Sequence, residues 1–527
     1  MPALVPCCFE ACNKQKAVSL ASKSNDPSSA VVAAAYHTAE LKCRRLLRDY
    51  EIKKEQKIIE CNNAGSFYRF VNKKLSCRRG LGALHNNMGD VIVSDAERAD
   101  LLNSYFSSVC TTDNGIMPIF ERSVPDNVVI DSVEYTPGKV RAAIKKLKAG
   151  GSCDPDGYPP MLFKRIVDCI AEPLSLMFTS LMSVSKIPME WSHSIVTPVY
   201  KNGAASNVSN YRPISLTCVA CRIMERVIAY DMLNYLRRHG VISKQQLGFL
   251  SGRSTTSDLL EAFNDWTLAL NDKNSVAVAN IDFAKAFDTV SHSKLLCKLQ
   301  SYGTSGRLLC WISGFLSDRT QQTRVGSSLS AITSLTSGVI QGSVIGPLLF
   351  VLFINDITLL FNSNKCTCKL YADDLKLYSV LHAEIDCNNL QDHLNAVYDW
   401  SQKWQLNISY KKCNLMYIGN THYKPNLLLN NDKLAVVDTV KDLGVAIDYR
   451  LTFDVHVRQI VARANLIHKC FVSRDIITLM RAFKVYVRPI IEYASCVWSP
   501  YRVNQVKQIE SVQRKFTKRL PGYALLS

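Results

Sequence analysis

Tyr371-Ala372-Asp373-Asp374 puts two carboxylates side by side between two stretches that alternate like half-buried strands. Before the pair, Cys366, Cys368 and Leu370 alternate with Thr367, Lys369 and Tyr371; after it, Leu375 and Leu377 alternate with Lys376 and Tyr378. This predicts a tight β-hairpin with the acids at its apex. Adjacent carboxylates repel, and desolvation adds to the cost unless a cation lies between them. An Asx-type turn would explain two aspartates equally well, since Asp favours turns. A third acid reaching the same point decides between these readings.

That acid is Asp282, 91 residues upstream (373 − 282). It ends the apolar run Val276-Ala277-Val278-Ala279-Asn280-Ile281, whose length and continuity predict a strand covered on both faces. An acid at the end of a buried strand, beside a hairpin bearing two more, makes an oxygen-rich cage. Magnesium prefers such a site, with water and phosphate oxygens completing an octahedral shell. Two ions about 4 Å apart can clamp the attacking and leaving oxygens of an in-line phosphoryl displacement. The chemistry implied is nucleotidyl transfer.

In order along the chain, Asp282 with Phe287, then Gln341-Gly342-Ser343, then Tyr371-Ala372-Asp373-Asp374 resemble the successive palm motifs of a reverse transcriptase. Asn210-Tyr211-Arg212-Pro213-Ile214-Ser215-Leu216, Gly248-Phe249, the run from Gln341 to Phe350, and Trp404-Gln405-Leu406-Asn407-Ile408 narrow this to non-LTR (LINE-type) retrotransposons, nearest the jockey-like branch. The resemblance runs from about residue 135 to the C-terminus, with a weaker echo upstream. It implies an α+β fold in a right-hand polymerase architecture: fingers, a palm with an antiparallel sheet, and a helical thumb, preceded by a helical N-terminal extension. The expected divisions are 1–130 for the extension, 182–447 for the reverse transcriptase domain with fingers beginning near 135, and 448–527 for the thumb.

The resemblance also implies roles. Asp282, Asp373 and Asp374, with the backbone carbonyl of Phe283, would hold two Mg²⁺ ions, for which Mn²⁺ could substitute. Asp282 and Asp373 would hold both ions and Asp374 would contribute less directly. Lys201 and Arg212 lie eleven residues apart around a polar turn and would grip the incoming triphosphate, as a point charge and a bidentate fork. Phe287 would stand against the sugar and leave no room for a 2′-hydroxyl, favouring deoxynucleotides. Gln341 would bond the templating strand or the nucleotide, and Gly342 would let backbone approach a base pair closely. A lysine in Lys411-Lys412-Cys413 would protonate the pyrophosphate leaving group; alignment favours Lys412, with Lys411 left open. Gln246-Leu247-Gly248-Phe249 and Arg253 resemble a template-side element, although Leu247 stands where the family has His. Ile340 stands where it has Pro. The partners implied are an RNA template, a DNA primer and deoxynucleoside triphosphates.

Composition is compatible. The 527 residues are 47% apolar and 20% charged, values of a globular chain. The net charge of +18 favours a polyanionic partner. Residues 451–520 hold 13 Lys/Arg against 4 Asp/Glu, a concentration suited to a nucleic-acid backbone. Nineteen scattered cysteines, with no signal peptide ahead of them, read as free thiols in a reducing compartment. Cys7, Cys8 and Cys12, and Cys218 with Cys221, have ligand-like spacing but no second cluster to complete a zinc set. Val339 to Phe361 is the most apolar stretch, but Gln341, Asn355 and Asp356 make it a core helix rather than a membrane span. An intracellular protein, nuclear or cytoplasmic, with no membrane partner is expected.

Helices are expected over 36–60, 94–109, 140–147, 220–238, after Ser291 to Gly303, 385–402, and through much of 453–520, with strands at 194–200 and 439–447. Residues 1–35 lack a period and should be poorly ordered. Gly150-Gly151-Ser152-Cys153-Asp154-Pro155-Asp156-Gly157 reads as a turn, either opening the fingers or serving as a plain connector. In the family an endonuclease precedes the linker and the thumb segment continues further. Neither is read here, so the chain is expected to be a fragment or a relic. The alternative to an active polymerase is a catalytically silent relic that binds RNA through its basic thumb.

Overall fold

The computed structural model describes residues 29–75, 81–86, 88–361, 365–420, 424–473 and 475–521. Cys7, Cys8, Cys12 and most of the stretch expected to be poorly ordered lie outside them. The chain divides into two compact units: residues up to 79 with 445–447 and 452 onward, and residues 80–444 with 448–451.

The larger unit mixes helices with two five-stranded sheets. Across one sheet the strands run Ala435–Val436, Asn414–Ile418, Ser275–Ile281, Asp374–Leu381 and Thr367–Tyr371. The central strand Ser275–Ile281 is antiparallel to both neighbours. Its apolar run is buried almost throughout, as its continuity predicted. Ala279, Ile281, Leu375, Leu377, Cys413 and Leu415 turn to one face and join the main core. Asn280, Lys376 and Asn414 turn to the other, as period-two alternation requires. The apolar stretch Val339 to Phe361 becomes a bend, a buried helix Gly346–Ile354 with Pro347 in its first turn, and a short 3₁₀ segment Asn355–Phe361.

In the second sheet, Tyr211–Leu216 pairs antiparallel with His193–Tyr200, which runs parallel to Arg319–Val325. The helix Asp95–Ser108 docks on this sheet. Its buried Asn103 amide donates to Ala331 O (3.0 Å) and accepts from Thr323 Oγ1 (3.1 Å) and Gln321 Nε2 (3.2 Å). Asp113 accepts from Ser291 Oγ at 2.7 Å. These bonds make 81–134 part of this unit, where the sequence reading had placed it in an extension ending near 130.

The smaller unit is helical. Ser29–Glu60 and Ala64–Leu75 pack with Asp454–Lys469, Ile476–Ala482 and Val503–Thr517 around Ile59, Phe67, Phe70, Phe471 and Tyr486. Glu55, fully buried, accepts from the amides of Val472 and Ser473. The helix Ser29–Glu60 is therefore anchored at its C-terminal half. The other expected elements appear as helices Pro137–Lys145, Val219–Arg238, His292–Ser301 (capped by Ser291) and Glu384–Lys403, and strands Thr439–Asp442 and Val445–Asp448. Among the described residues no helix is long and apolar enough to cross a membrane.

Candidate active site

Register brings the three acids together. Leu375 pairs with Ile281, so the next step along the ladder sets Asp374 opposite Asp282. Facing residues of antiparallel strands lie about 5 Å apart. On the other flank the ladder ends at Asn414 opposite Asn280, and the 3₁₀ turn Tyr410–Lys412 just before it brings the Lys412 ammonium to Asp282 Oδ1, to which it donates at 2.8 Å. Lys411, in the same turn, lines neither cavity described below.

Tyr371 pairs with Asp374, so Ala372-Asp373 forms a two-residue turn. Ala372 has φ +59°, a left-handed conformation costly for a residue with a Cβ. Gln246, fully buried, holds it: its Oε1 accepts from Ala372 N (3.1 Å) and from Gly248 N (2.7 Å). Leu247 N donates to Leu370 O at 2.7 Å, extending the clamp down the hairpin. A Cβ on Gly248 would lie 2.3 Å from Ala372 N, so only glycine allows this seat. Sequence reading assigned these residues to the template side and missed the brace.

Asp282 and Asp373 face a cleft of about 670 Å³ that is also lined by Lys201, Arg212, Phe283, Lys285, Phe287, Gln341, Gly342 and Lys412. Asp374 faces instead a smaller cavity of about 130 Å³, with Asp258, Lys376, Asn414 and Asp442. Asp282 and Lys412 border both. Asp282, Phe283, Asp373, Lys201, Arg212, Phe287, Gln341, Gly342 and Lys412 therefore gather at one locus, with Asp374 to one side and Lys411 and Arg253 outside the lining. Buried Lys376 lies between Asp258 (3.2 Å) and Asp442 beneath it.

Burial pushes the Asp373 carboxyl above its usual range, helped by Asp282 and opposed by Lys201 and Arg212. Asp374 is pushed up to about 6 by desolvation and then by the charges of Asp373, Asp282 and Asp442. Lys201 is lowered by desolvation and by neighbouring Arg212 and Lys412. Desolvated carboxylates that raise one another's pKa are a donor set a hard divalent cation would relieve. The Lys412 ammonium occupies part of that role on Asp282. The carboxylate oxygens are not within one ion's span of each other; among the described residues, Asp154, Asp156 and Cys218 are the group that is. Asp154 Oδ1 accepts from Tyr158 N and its Oδ2 from Val219 N, which accounts for its burial without a metal.

Phe287 stacks on Phe350 (4.2 Å between centroids) and meets Phe249 edge-on at 5.9 Å, fixing its ring in the cleft wall. The Gln341 side chain is not free: its Nε2 donates to Asp288 Oδ1 at 2.7 Å. Gly342, at φ +123°, packs against strand Tyr211–Leu216, where an added Cβ would lie 2.3 Å from Ser215 O. Its backbone also lines the main cleft.

Residues 199–447 match the family described as reverse transcriptase (RNA-dependent DNA polymerase). The chain is 27% identical over 424 residues to the RNA-directed DNA polymerase from mobile element jockey of Drosophila melanogaster, covering 76% of this chain and 45% of that protein. It is 26% identical over 361 residues to the probable RNA-directed DNA polymerase from transposon X-element of the same species, covering 66% and 40%. It thus spans less than half the length of these curated relatives. Among solved structures, apo telomerase from Candida tropicalis, truncated from the C-terminal domain, superposes with a TM-score of 0.36 at 10% identity, covering 56% of this chain and 60% of that one.

Proposed function

We propose that this chain, whose residues 199–447 form a reverse transcriptase domain, is the RNA-directed DNA polymerase of a non-LTR retrotransposon. It extends a primer 3′-hydroxyl with deoxynucleotides on an RNA template. The observation that carries the reading is convergence on Asp282: Asp374 stands opposite it across the strand ladder and the Lys412 ammonium bonds its carboxylate, beside a cleft lined by cations and by Phe287.

Asp282 and Asp373, with the Phe283 carbonyl and Asp374 less directly, would hold two Mg²⁺ ions, or Mn²⁺ in their place. Bound there, such ions neutralise charge on the attacking and leaving oxygens. The chain's own residues supply the positioning. Lys201 and Arg212, carried at the ends of a strand pair, grip the triphosphate. The Phe287 ring, backed by Phe350, walls off the 2′ position of the sugar. As the primer oxygen attacks the α-phosphorus, the bond to the bridging oxygen breaks and pyrophosphate leaves. Lys412, now paired with Asp282, is the ammonium best placed to give that oxygen its proton. In this reading the larger unit carries the fingers and palm of a right-hand polymerase, and the basic helices beyond 452 serve as a thumb along the duplex.

The test is Asp373→Asn in primer extension on a primed homopolymer RNA with labelled deoxynucleotide and Mg²⁺. Incorporation is expected to fall about 10²–10³-fold, by analogy with losing one preorganised charge-stabilising group. Undiminished synthesis would sink the assignment. Wild-type protein that binds RNA but incorporates nothing would leave the silent relic.

A further inference from the structure

Gln341 and Asp288 line both the main cleft and a smaller cavity of about 40 Å³ behind it, so the pair forms the partition between the two. The backbone of the bend is fixed without their side chains. Gln341 O accepts from Ser215 N at 2.7 Å, Gly338 N donates to Val290 O at 2.8 Å, and Val339 N donates to Phe287 O at 2.7 Å. His292 Nε2 lies 2.9 Å from Gly338 O. Gly338, at φ +92°, lies against Asp288, where an added Cβ would be 2.8 Å from its carbonyl oxygen. What these contacts leave undetermined is the direction of the Gln341 amide. An amide offers a donor end and an acceptor end of nearly equal shape, so an unheld Gln presents either to a ligand. The Asp288 carboxylate, an acceptor only when ionised, holds the donor end at 2.7 Å. Oε1 is then the atom opposite that anchor.

We infer that Asp288 is a positioning residue for nucleotide binding: it fixes the orientation of the Gln341 amide, so that the cleft meets a carbonyl acceptor in a constant place. The inference rests on the polymerase reading above and adds a residue to it. Asp288 follows Phe287 directly, and Val339 of the Gln341 bend bonds to Phe287, so sugar wall and amide are set by one short segment. Burial pushes Asp288 up to about 6, opposed by the Gln341 bond and by Lys285, so the carboxylate is ionised at neutral pH. Its neighbours Lys285 and Tyr105 flank the same wall, the Lys285 ammonium lying 5.2 Å from the Tyr105 ring centre.

The experiment is a double-mutant cycle read as kcat and KM for deoxynucleotide on a primed homopolymer RNA. Asp288→Ala is expected to raise KM about tenfold, the scale of one lost hydrogen bond to a charged group, with kcat within about twofold. Asp288→Asn, whose Oδ1 can still accept, is expected to stay within about threefold of wild type. In a Gln341→Ala background, Asp288→Ala should change KM no further. Should Asp288→Ala fail to fold, the reversed pair replaces it. Gln341→Glu sets carboxylate against carboxylate and should raise KM more than tenfold, and adding Asp288→Asn should restore it. Equal effects of Asp288→Ala with and without Gln341, or no restoration in the reversed pair, overturn the inference. Synthesis surviving in Asp373→Asn, run alongside, would instead count against the polymerase reading itself.

Discussion

Gly248→Ala probes how the hairpin apex is held, and its effect can be worked from contacts. The new Cβ would lie 2.3 Å from Ala372 N and 3.0 Å from both Ala372 Cα and Tyr371 C. Heavy-atom contacts settle at about 3.5 Å, so the apex must retreat by roughly 1 Å, because backbone cannot rotate away as a side chain would. That retreat stretches the Gln246–Ala372 and Leu247–Leu370 bonds, which are 3.1 and 2.7 Å long. Each buried bond lost costs about 1–3 kcal/mol, so up to about 6 kcal/mol of stability is at stake. The catalytic consequence is steeper for its size: a 1 Å misplacement of reacting groups costs on the order of 100-fold in rate. Primer extension should show kcat down about 100-fold, and a denaturant melt should show a lower midpoint. Gly150→Ala, whose Cβ would meet nothing within 4 Å, is the control. A folded Gly248→Ala protein with kcat within twofold of wild type would refute the idea that this glycine seats the acids.

Lys412→Ala should lower kcat by about 10²-fold, the contribution of one proton-transfer group, whereas Lys411→Ala should stay near wild type; equal losses would undo the choice of Lys412. Phe287→Val should admit ribonucleotides while keeping more packing against Phe350 than alanine would, checked by competing labelled rNTP against dNTP; unchanged sugar selectivity would place the ring elsewhere. Asp374 sits above the ordinary carboxylate range near 4, at about 6, so the folded chain binds the extra proton and unfolding free energy falls as pH rises across that window. Asp373 and Asp288 are raised too and contribute to the same fall, so Mg²⁺ should lessen the slope in wild-type melts and Asp374→Asn should start from a shallower one; identical slopes in both proteins would contradict the assignment.

Much of this site was legible because its parts obey strong local rules. The apolar run ending at Asp282 and the alternation flanking Asp373-Asp374 each fix a strand and its end residue. The match of several ordered motifs then supplied which strands meet. What stayed hidden depended on side chains reaching across sequence. Nothing near Gln246 announces that its Oε1 will clamp Ala372, 126 positions on. Asp288 drew no notice in the sequence, since its partner Gln341 comes from a separate bend. The helix Asp95–Ser108 was legible, and its Ala99, Leu102 and Phe106 do pack on Val196, Tyr211 and Val325 of the sheet, but nothing local showed that Asn103 between them would bond Ala331, Thr323 and Gln321. The choice between Lys411 and Lys412 needed the 3₁₀ turn Tyr410–Lys412, which aims the second lysine at Asp282 and which no single-strand pattern contains.

The register that sets Asp374 opposite Asp282 is itself enforced by the core, which joins stability to chemistry here. Sliding Asp374–Leu381 by one residue against Ser275–Ile281 would turn Leu375 and Leu377 out and carry Asp374 and Lys376 into the apolar layer that holds Ala279 and Ile281. The cost of burying those charges, and of exposing two leucines, opposes the slip with several kcal/mol. On the other flank Cys413 and Leu415 hold Asn414–Ile418 in the same way, and so hold Lys412 beside Asp282. Core packing thus fixes the strands that carry Asp282 and Asp374, while Asp373 at the apex is seated by the separate brace of Gln246 and Gly248. The site is held both by the core's register and by that one local clamp.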